Sequence, residues 1–483
     1  MPTSAILQRF RDAVTRNPER DAILGTDCAI TYSELESRAA SVAHRILERT
    51  TGPTVALLYQ NKPEFAALLL GALWAGKVVS VLPTLAPPPL LKLMCMETGV
   101  DLIITGEEFV PALTAVGMSC WIGDASAEFT AAQVPVQPVS GDVAVLLYTS
   151  GTTGRPKAVA LSEQNILSNI EGCIAATGYD DTQVMLAILP LFHAYGLTVS
   201  TLLPMTVGGS VVVPERFIPR QVLQLIEKYR ISCLIAVPAQ YRVLVKELTP
   251  VDVSSLWLCI AGAERLPEQV ARDFQARFHR PLVQGYGTTE LSPVVSFSPA
   301  EDNAPGSVGR PLPNIQVTIR DDNDQPLPAG ELGEVCVSGP SVMLGYLGDR
   351  EATNRKIRAG VLHTSDKGFL DKDGYLHLVG RADDLVKVSG EKVYPSEVEN
   401  ALETIDGVEE AAVVAIPDEK HGSRLEAYVQ LRQGIQLDEH QLRSACREML
   451  EPYKIPRGFH FVGQMPRTMT GKTDKRSLLT AAS

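Results

Sequence analysis

Long apolar runs are missing from this chain. The longest nearly unbroken one, residues 65–76, is too short for the roughly 20 residues that cross a bilayer, so no integral membrane segment is expected. The opening Met1-Pro2-Thr3-Ser4 lacks a basic region followed by an apolar stretch, and no signal peptide is expected there. Positive charge is scarce as well. Lys and Arg number 44 against 56 Asp and Glu, and a net −12 excludes the basic face of a general nucleic-acid binder. The 8 cysteines include no Cys-x-x-Cys pair and no histidine stands at zinc-ligand spacing. Cys233 and Cys259 sit inside apolar strand-like runs, as reduced core cysteines of a cytoplasmic protein do. What remains is an ordinary globular composition, 45% hydrophobic and 21% charged, over 483 residues, enough for two or more domains.

Against that plain background one stretch stands out: Tyr148-Thr149-Ser150-Gly151-Thr152-Thr153-Gly154-Arg155-Pro156-Lys157. Small hydroxyl residues and glycines wrap a polyphosphate closely, because backbone N–H groups and hydroxyls reach the anion unobstructed. Lys157 adds a point charge. The preceding Val143-Ala144-Val145-Leu146-Leu147 reads as a buried strand. The stretch is not a P-loop, which needs Gly-Lys-Ser/Thr opening a helix. Pro156 separates the last glycine from the lysine, leaving a helix start at Lys157 open.

The first part of the chain alternates strands and helices. Thr31 and Glu34 form a capping-box pattern before a helix with Leu35, Ala39, Val42 and Ile46 on one face. A strand over 54–59, a helix over 64–75 and a strand over 78–82 make a β-α-β unit and imply a parallel, doubly covered sheet. Further strands are expected at 186–189, 209–213, 231–237 and 256–260. From about Gly306 short strands (316–320, 333–338) suggest a β-rich subdomain. The last hundred residues read as a small α+β lobe: a helix over 395–405, strands over 410–416 and 425–431, and a helix capped by Asp438. The boundary is expected near Arg381-Ala382-Asp383-Asp384, dividing the chain into 1–382 and 383–483. The fold class is therefore α/β, a large N-terminal lobe of parallel sheets with a β-rich subdomain, followed by the small lobe.

Further motifs follow the phosphate loop in order: Pro190-Leu191-Phe192-His193-Ala194-Tyr195-Gly196, Ala261-Gly262-Ala263-Glu264, Gln284-Gly285-Tyr286-Gly287-Thr288-Thr289-Glu290, Gly333-Glu334, Gly345-Tyr346, Thr364-Ser365-Asp366, Gly380-Arg381-Ala382-Asp383-Asp384, Lys387-Val388-Ser389-Gly390-Glu391 and Gly471-Lys472. Gly285-Tyr286-Gly287 begins like a dinucleotide fingerprint, but Glu290 occupies the third glycine position and that reading fails. Together the set resembles the adenylate-forming superfamily of acyl-CoA synthetases, peptide-synthetase adenylation domains and firefly-type luciferases, over essentially the whole chain.

The resemblance implies roles. Thr149, Ser150, Gly151, Thr152, Thr153, Gly154 and Lys157 would bind the departing pyrophosphate of ATP. Gly262, Ala263 and Glu264 would line the adenine, and Gly285, Tyr286, Gly287 and Thr288 would cover it, beside Thr289. Glu290 would hold Mg²⁺, since a carboxylate near a triphosphate needs a metal between them. Asp366 and Arg381 would bind the ribose, and Lys472 would bridge the acid's carboxylate and the α-phosphate. The C-terminal lobe would be mobile, turning about Asp383 to bring Lys387 and Gly390 to the site for CoA or a phosphopantetheine thiol. His193, Tyr195, Tyr241, Ala261 and Val294 would meet the acid. His193 stands where amino-acid-activating relatives commonly carry an aspartate, so a fatty acid is expected, with an aryl or arylpropenoic acid as the alternative. A non-catalytic adenylate-binding module and a luciferase-like oxidase share the resemblance; Lys472, Glu290 and the phosphate loop count against the first. Between Glu451 and Ser483 six cations face two acidic residues, and this patch is a candidate guide for CoA phosphates or an acyl carrier protein.

Overall fold

The computed structural model describes residues 3–26, 28–139, 141–149, 156–302, 304–418, 422–467 and 473–482. Its large lobe is built on two seven-stranded sheets. In one, the strands Val283–Gln284, Leu258–Ala261, Cys233–Ala236, Val184–Leu186, Ser210–Val212, Asp21–Leu24 and Ala29–Thr31 lie side by side; in the other, Gly345–Tyr346, Lys157–Leu161, Val145–Thr149, Val78–Val81, Thr54–Leu58, Leu102–Thr105 and Trp121–Ile122. Most neighbours are parallel, as the β-α-β reading requires. The helix Glu64–Trp74 explains why. Every residue from Phe65 to Trp74 is buried, so a helix apolar all round serves as core rather than surface. A side chain at Gly71 would lie 2.4 Å from Val42 Cγ1 and 2.8 Å from the Ala39 carbonyl, so the glycine sets how closely the helix Tyr32–Arg49 packs. That helix begins with both bonds of the Thr31/Glu34 capping box.

One continuous apolar cluster joins the two sheets, drawing Val55, Val79 and Val145 from one and Ile23, Met185 and Val211 from the other. A second fills the opposite face of the first sheet beneath Pro219–Tyr229, Pro238–Lys246 and Glu268–Phe278. The β-rich region is a five-stranded antiparallel sheet including Gln316–Arg320, Gly333–Ser338, Val361–Leu370 and Leu376–Arg381. After it comes the one-turn 3-10 segment Ala382–Asp384, then the hairpin Val386–Val388/Glu391–Val393. The valines of that hairpin pack into the core of the small lobe, with Val398, Leu402, Val413, Val429 and Leu442. Among the described residues no helix is long and apolar enough to cross a membrane.

Two local expectations fail. Lys157 opens a strand, not a helix: Ala158-Val159-Ala160-Leu161 pairs antiparallel with Val145–Thr149 on one side and with Gly345–Tyr346 on the other. The strand expected at 186–189 is Val184–Leu186, and the chain then leaves the sheet toward a π-helical segment, Tyr195–Leu202, which the sequence did not announce.

Candidate nucleotide and acid site

Two antiparallel strands flank the phosphate loop. Thr149 and Lys157 are register partners at its base, and residues 150–155 lie outside the described set, so Ser150, Gly151, Thr152, Thr153 and Gly154 receive no structural account. Lys157 Nζ stands 4.9 Å over the ring of Tyr346. The Tyr346 hydroxyl donates to Glu290 Oε1 at 2.8 Å, and Met343 N donates to the Glu290 carbonyl at 2.9 Å. Burial, and then the Glu290 charge, push the Tyr346 hydroxyl far up, so it stays a donor. A cation, a phenol and a carboxylate are thereby fixed in one row.

The candidate nucleotide wall lies where parallel strands end, as ligand sites of open α/β sheets do. Gly262 N donates to Ala236 O at 3.1 Å and Gly285 N to Ala261 O at 2.9 Å, so both glycines continue the ladder at the sheet's rim. Ala263 turns the chain with a left-handed φ of 68°. A side chain at Gly287 would lie 2.3 Å from the Pro293 carbonyl, so only glycine fits there. The Thr288 hydroxyl is buried with no partner among the described residues. Tyr286 donates its hydroxyl to Asp366 Oδ2, and Arg381 Nη1 lies 3.4 Å from Oδ1. Burial raises the Asp366 pKa and Arg381 opposes it.

Lys356 was not singled out in the sequence, where Asn354-Arg355-Lys356 at a helix end reads as surface. Its ammonium donates to the Thr364 carbonyl at 2.8 Å and to Ser365 Oγ at 3.2 Å. Burial lowers its pKa, with Glu290 the strongest opposing charge. Beneath this turn Glu334, Cys336 and His363 bring metal-type donors together. Their bonds are already committed, however. Glu334 Oε1 accepts from Ser365 N at 2.9 Å and Oε2 lies 3.1 Å from His363 Nδ1, while burial pushes the Cys336 thiol up to about 12, far from the thiolate a metal takes.

On the acid side, His193 starts the turn that leads into the π-helical segment, its ring tilted 36° against Phe192 at 4.7 Å. The Tyr195 hydroxyl is 3.4 Å from where a Gly285 side chain would begin, and its ring is 3.8 Å from the same point at Gly262. Behind Tyr195 lies an apolar cavity of about 30 Å³ bounded by Cys173, Met185, Leu203, Ile260, Val294 and Phe297. Tyr241 and Ala261 are not on it. Both belong to the core on the other face of the sheet, where the Tyr241 hydroxyl donates to Leu234 O at 2.7 Å and Ile260 O at 3.0 Å. Consecutive strand residues face opposite ways, so Ile260 takes the wall position and Ala261 cannot.

The small lobe touches this rim. Thr473 N donates to Glu264 Oε1 at 3.2 Å, and the Thr473 hydroxyl to Glu410 Oε1 at 2.7 Å. Glu410 Oε2 also takes Arg242 at 2.6 Å from the large lobe and Arg467 at 2.5 Å from its own. Lys246 pairs with Glu409 at 2.5 Å, and Arg265 reaches Asn400. Lys472 lies outside the described residues, as does the Asp383 side chain. Lys387 is exposed, and the turn at Gly390 (φ 90°) faces open space. The basic patch of the last residues is largely neutralised: Arg467 by Glu410, Arg457 by Asp418 at 3.5 Å, Lys454 by Glu397 and Glu451 at 3.0 Å, and Lys475 by Glu399 at 2.6 Å.

The profile of the AMP-binding enzyme family matches residues 10–347, and that of the AMP-binding enzyme C-terminal domain matches residues 397–472. The chain belongs to the AMP-binding enzyme family. A long-chain-fatty-acid–CoA ligase of Bacillus subtilis (strain 168) is 37% identical over 345 residues, 70% of this chain and 61% of that protein. A feruloyl-CoA synthase of an Amycolatopsis species is 33% identical over 465 residues, 94% of each chain. ATP-bound MatB from Rhodopseudomonas palustris superposes with a TM-score of 0.91 at 29% identity, covering 99% of both chains. The adenylate-forming resemblance read from the motifs and the α/β two-lobe architecture both stand on these matches. The rim fits the family's nucleotide: glycines that admit close approach, an unpartnered Thr288 hydroxyl and a buried Asp366 carboxylate are what a purine nucleoside and its phosphates need.

Proposed function

We propose that the chain is an AMP-forming acid–thiol ligase that activates an aliphatic carboxylic acid with ATP and passes it to CoA. In the first half an acid oxygen attacks the α-phosphorus of ATP, pyrophosphate leaves, and an acyl-adenylate forms. In the second, a thiol sulfur attacks the acyl carbon and AMP leaves. Phosphoryl-group chemistry of this kind asks mainly for positioning and charge stabilisation. Asp366 and Arg381 hold the ribose, Lys157 and the loop hold the β- and γ-phosphates, and Lys472 neutralises charge where the acid meets the α-phosphate. Glu290, with Tyr346 on one oxygen, would hold Mg²⁺, which screens the phosphate charge when bound. The observation that carries this reading is the Thr473–Glu264 bond, which sets the neighbour of Lys472 against the adenine-lining segment. The lobe pose is then the adenylating one. Turning about Asp383 would release Lys472 and carry Lys387 and Gly390 inward, with a phosphopantetheine-bearing carrier protein as an alternative acceptor. The buried cysteines agree with a cytoplasmic setting.

The acid is read from the cavity behind Tyr195. Its boundary is apolar, which penalises an ammonium, while each buried CH₂ gains about 0.8 kcal/mol. The open space is only about one water's share of liquid, so a longer chain enters when Tyr195 turns aside. The 33% identity to a feruloyl-CoA synthase keeps an aryl or arylpropenoic acid as the second reading. Acid-dependent ATP–pyrophosphate exchange across saturated, aryl and amino acids tests this. Among saturated acids, kcat/KM should climb with each methylene until the cavity is full, and Tyr195→Ala should move the optimum to longer chains. Better exchange with amino acids than with any fatty or aryl acid would overturn the substrate class and leave the ligase chemistry standing.

A further inference from the structure

Asp366 is presented on a turn that a side chain disfavours. Ser365, immediately before it, has φ 68°, in the left-handed region where a residue with a Cβ is seldom found. Five bonds hold the turn. Ser365 N donates to Glu334 Oε1 at 2.9 Å, Asp366 N to Thr364 Oγ1 at 3.0 Å, and Thr364 Oγ1 to Val335 O at 2.7 Å. The fourth and fifth form the Lys356 clamp, which holds the carbonyl of Thr364 and the hydroxyl of Ser365 together, at 2.8 and 3.2 Å. Lys356 ends the seven-residue helix Arg350–Lys356. The Thr353 hydroxyl of that helix accepts from Tyr346 N at 2.9 Å, and Tyr346 is the partner of Glu290. One short helix therefore ties the row holding Glu290 to the turn holding Asp366.

We propose that Lys356 is a positioning residue for the nucleotide: its ammonium fixes the Thr364–Ser365 turn in the left-handed state and so sets Asp366 where the ribose hydroxyls are read. This rests on the reading of Asp366 as the ribose ligand. The side chain need not touch ATP. A mobile turn would spread the carboxylate over several positions, so the two ribose hydroxyls would lose their common acceptor while the phosphate contacts persisted. The pairing of Lys356 with Ser365 is also a local solution to a local strain. A glycine at 365 would hold the same φ unaided.

The test uses the full-length enzyme with ATP, 2′-deoxy-ATP and 3′-deoxy-ATP in pyrophosphate exchange. Lys356→Met, which keeps the length and removes the charge, should raise the KM for ATP on the order of 10-fold, the usual scale for losing a charged hydrogen bond. It should also narrow the preference for ATP over the deoxy analogues, with kcat changed less than KM and the KM for the acid unchanged. In the Lys356→Met background, Ser365→Gly should restore part of both losses. Should Lys356→Met fail to fold, Ser365→Ala, which keeps the lysine and removes one acceptor, should give a smaller narrowing of the same preference. Asp366→Asn sets the reference and should abolish the preference. If Asp366→Asn loses the preference but Lys356→Met or Ser365→Ala keeps it, Lys356 does not position the carboxylate. Equal penalties with and without Ser365→Gly overturn the proposal too. If Asp366→Asn itself keeps the preference, the ribose reading falls and takes the proposal with it.

Discussion

The interior of the large lobe and the contact between the lobes are built from different materials. In the interior, the helix Glu64–Trp74 is buried along almost its whole length, and Gly71 lets Val42 and the Ala39 carbonyl approach as closely as atoms allow. Between the lobes the contacts include the polar pairs Arg242–Glu410, Lys246–Glu409, Arg265–Asn400, Thr473–Glu264 and Ser396–Val379, beside the Tyr394 ring packed on Gly380. Neither lobe's apolar clusters include a residue of the other. Close-packed apolar surfaces resist sliding, because any shift opens voids. Ion pairs exchange partners with water at a net cost near 1 kcal/mol or less when part-exposed. The first interface suits a fixed scaffold and the second the lobe movement proposed above.

The largest effect expected from breaking the mobile contact is at Lys472, beside Thr473. Lys472→Ala should lower acid-dependent pyrophosphate exchange by about 10²-fold or more, the scale for one preorganised charge at a developing anion. Thioester formation from supplied acyl-adenylate should survive much better. Equal loss in both assays would make the lysine structural and remove the reason for the lobe to move.

In the fixed interior the reverse pattern is expected. Gly71→Ala puts a methyl into the Val42 contact and should cost about 1–3 kcal/mol, read as a lower Tm in a thermal melt. The ratio of the two half-reactions should stay unchanged in the surviving enzyme. A changed ratio would mean that interior packing sets the lobe pose after all. Arg242→Met makes the complementary cut. The pair is largely buried, its side chains 14% and 7% exposed, so even though Glu410 keeps Arg467 exchange should fall about 10-fold or more. High salt should reproduce little of that loss in the wild type, because a buried pair is only weakly screened.

The fixed part was far more legible in the sequence than the mobile one. The unit over residues 54–81 and both capping motifs at Thr31 and Asp438 depend on neighbours a few residues away, and each formed close to its expected bounds. What failed depends on distant partners. The strand that Lys157 opens pairs on its far side with Gly345–Tyr346, through Ala160 and Val159, an edge that the local sequence does not reveal. Tyr241 and Ala261 were assigned to the acid by resemblance, which marks positions without showing that both side chains belong to the core on the other face of the sheet. Lys356 stayed hidden since a lysine at a helix end looks solvated until Thr364 and Ser365 are folded over it. The excess of cations at the C-terminus looked like a docking patch because composition counts charges without showing that Asp418, Glu397, Glu399 and Glu410 already face them.

The finest probe of the comparison is Glu403, on the helix Pro395–Glu403 of the small lobe. Burial pushes its pKa up to about 7, against the opposing pull of Arg242 and Arg265 of the large lobe and the Ala411 N–H, while Glu399 on its own helix pushes the same way. When the lobes part, Glu403 meets water and should return toward the ordinary carboxylate value near 4.5. The closed pose thus holds a proton more tightly than the open one. Its stabilisation is complete below about pH 4.5 and is lost as the pH rises through about 7. Lowering the pH from 7.5 to 5.5 should therefore favour pyrophosphate exchange over thioester formation from supplied acyl-adenylate. Glu403→Gln, neutral throughout, should flatten that dependence while leaving the ratio near its low-pH value. An unchanged pH slope in the variant would show that the lobe contact does not feel this carboxyl, and would leave Arg242–Glu410 as the pair that sets the pose.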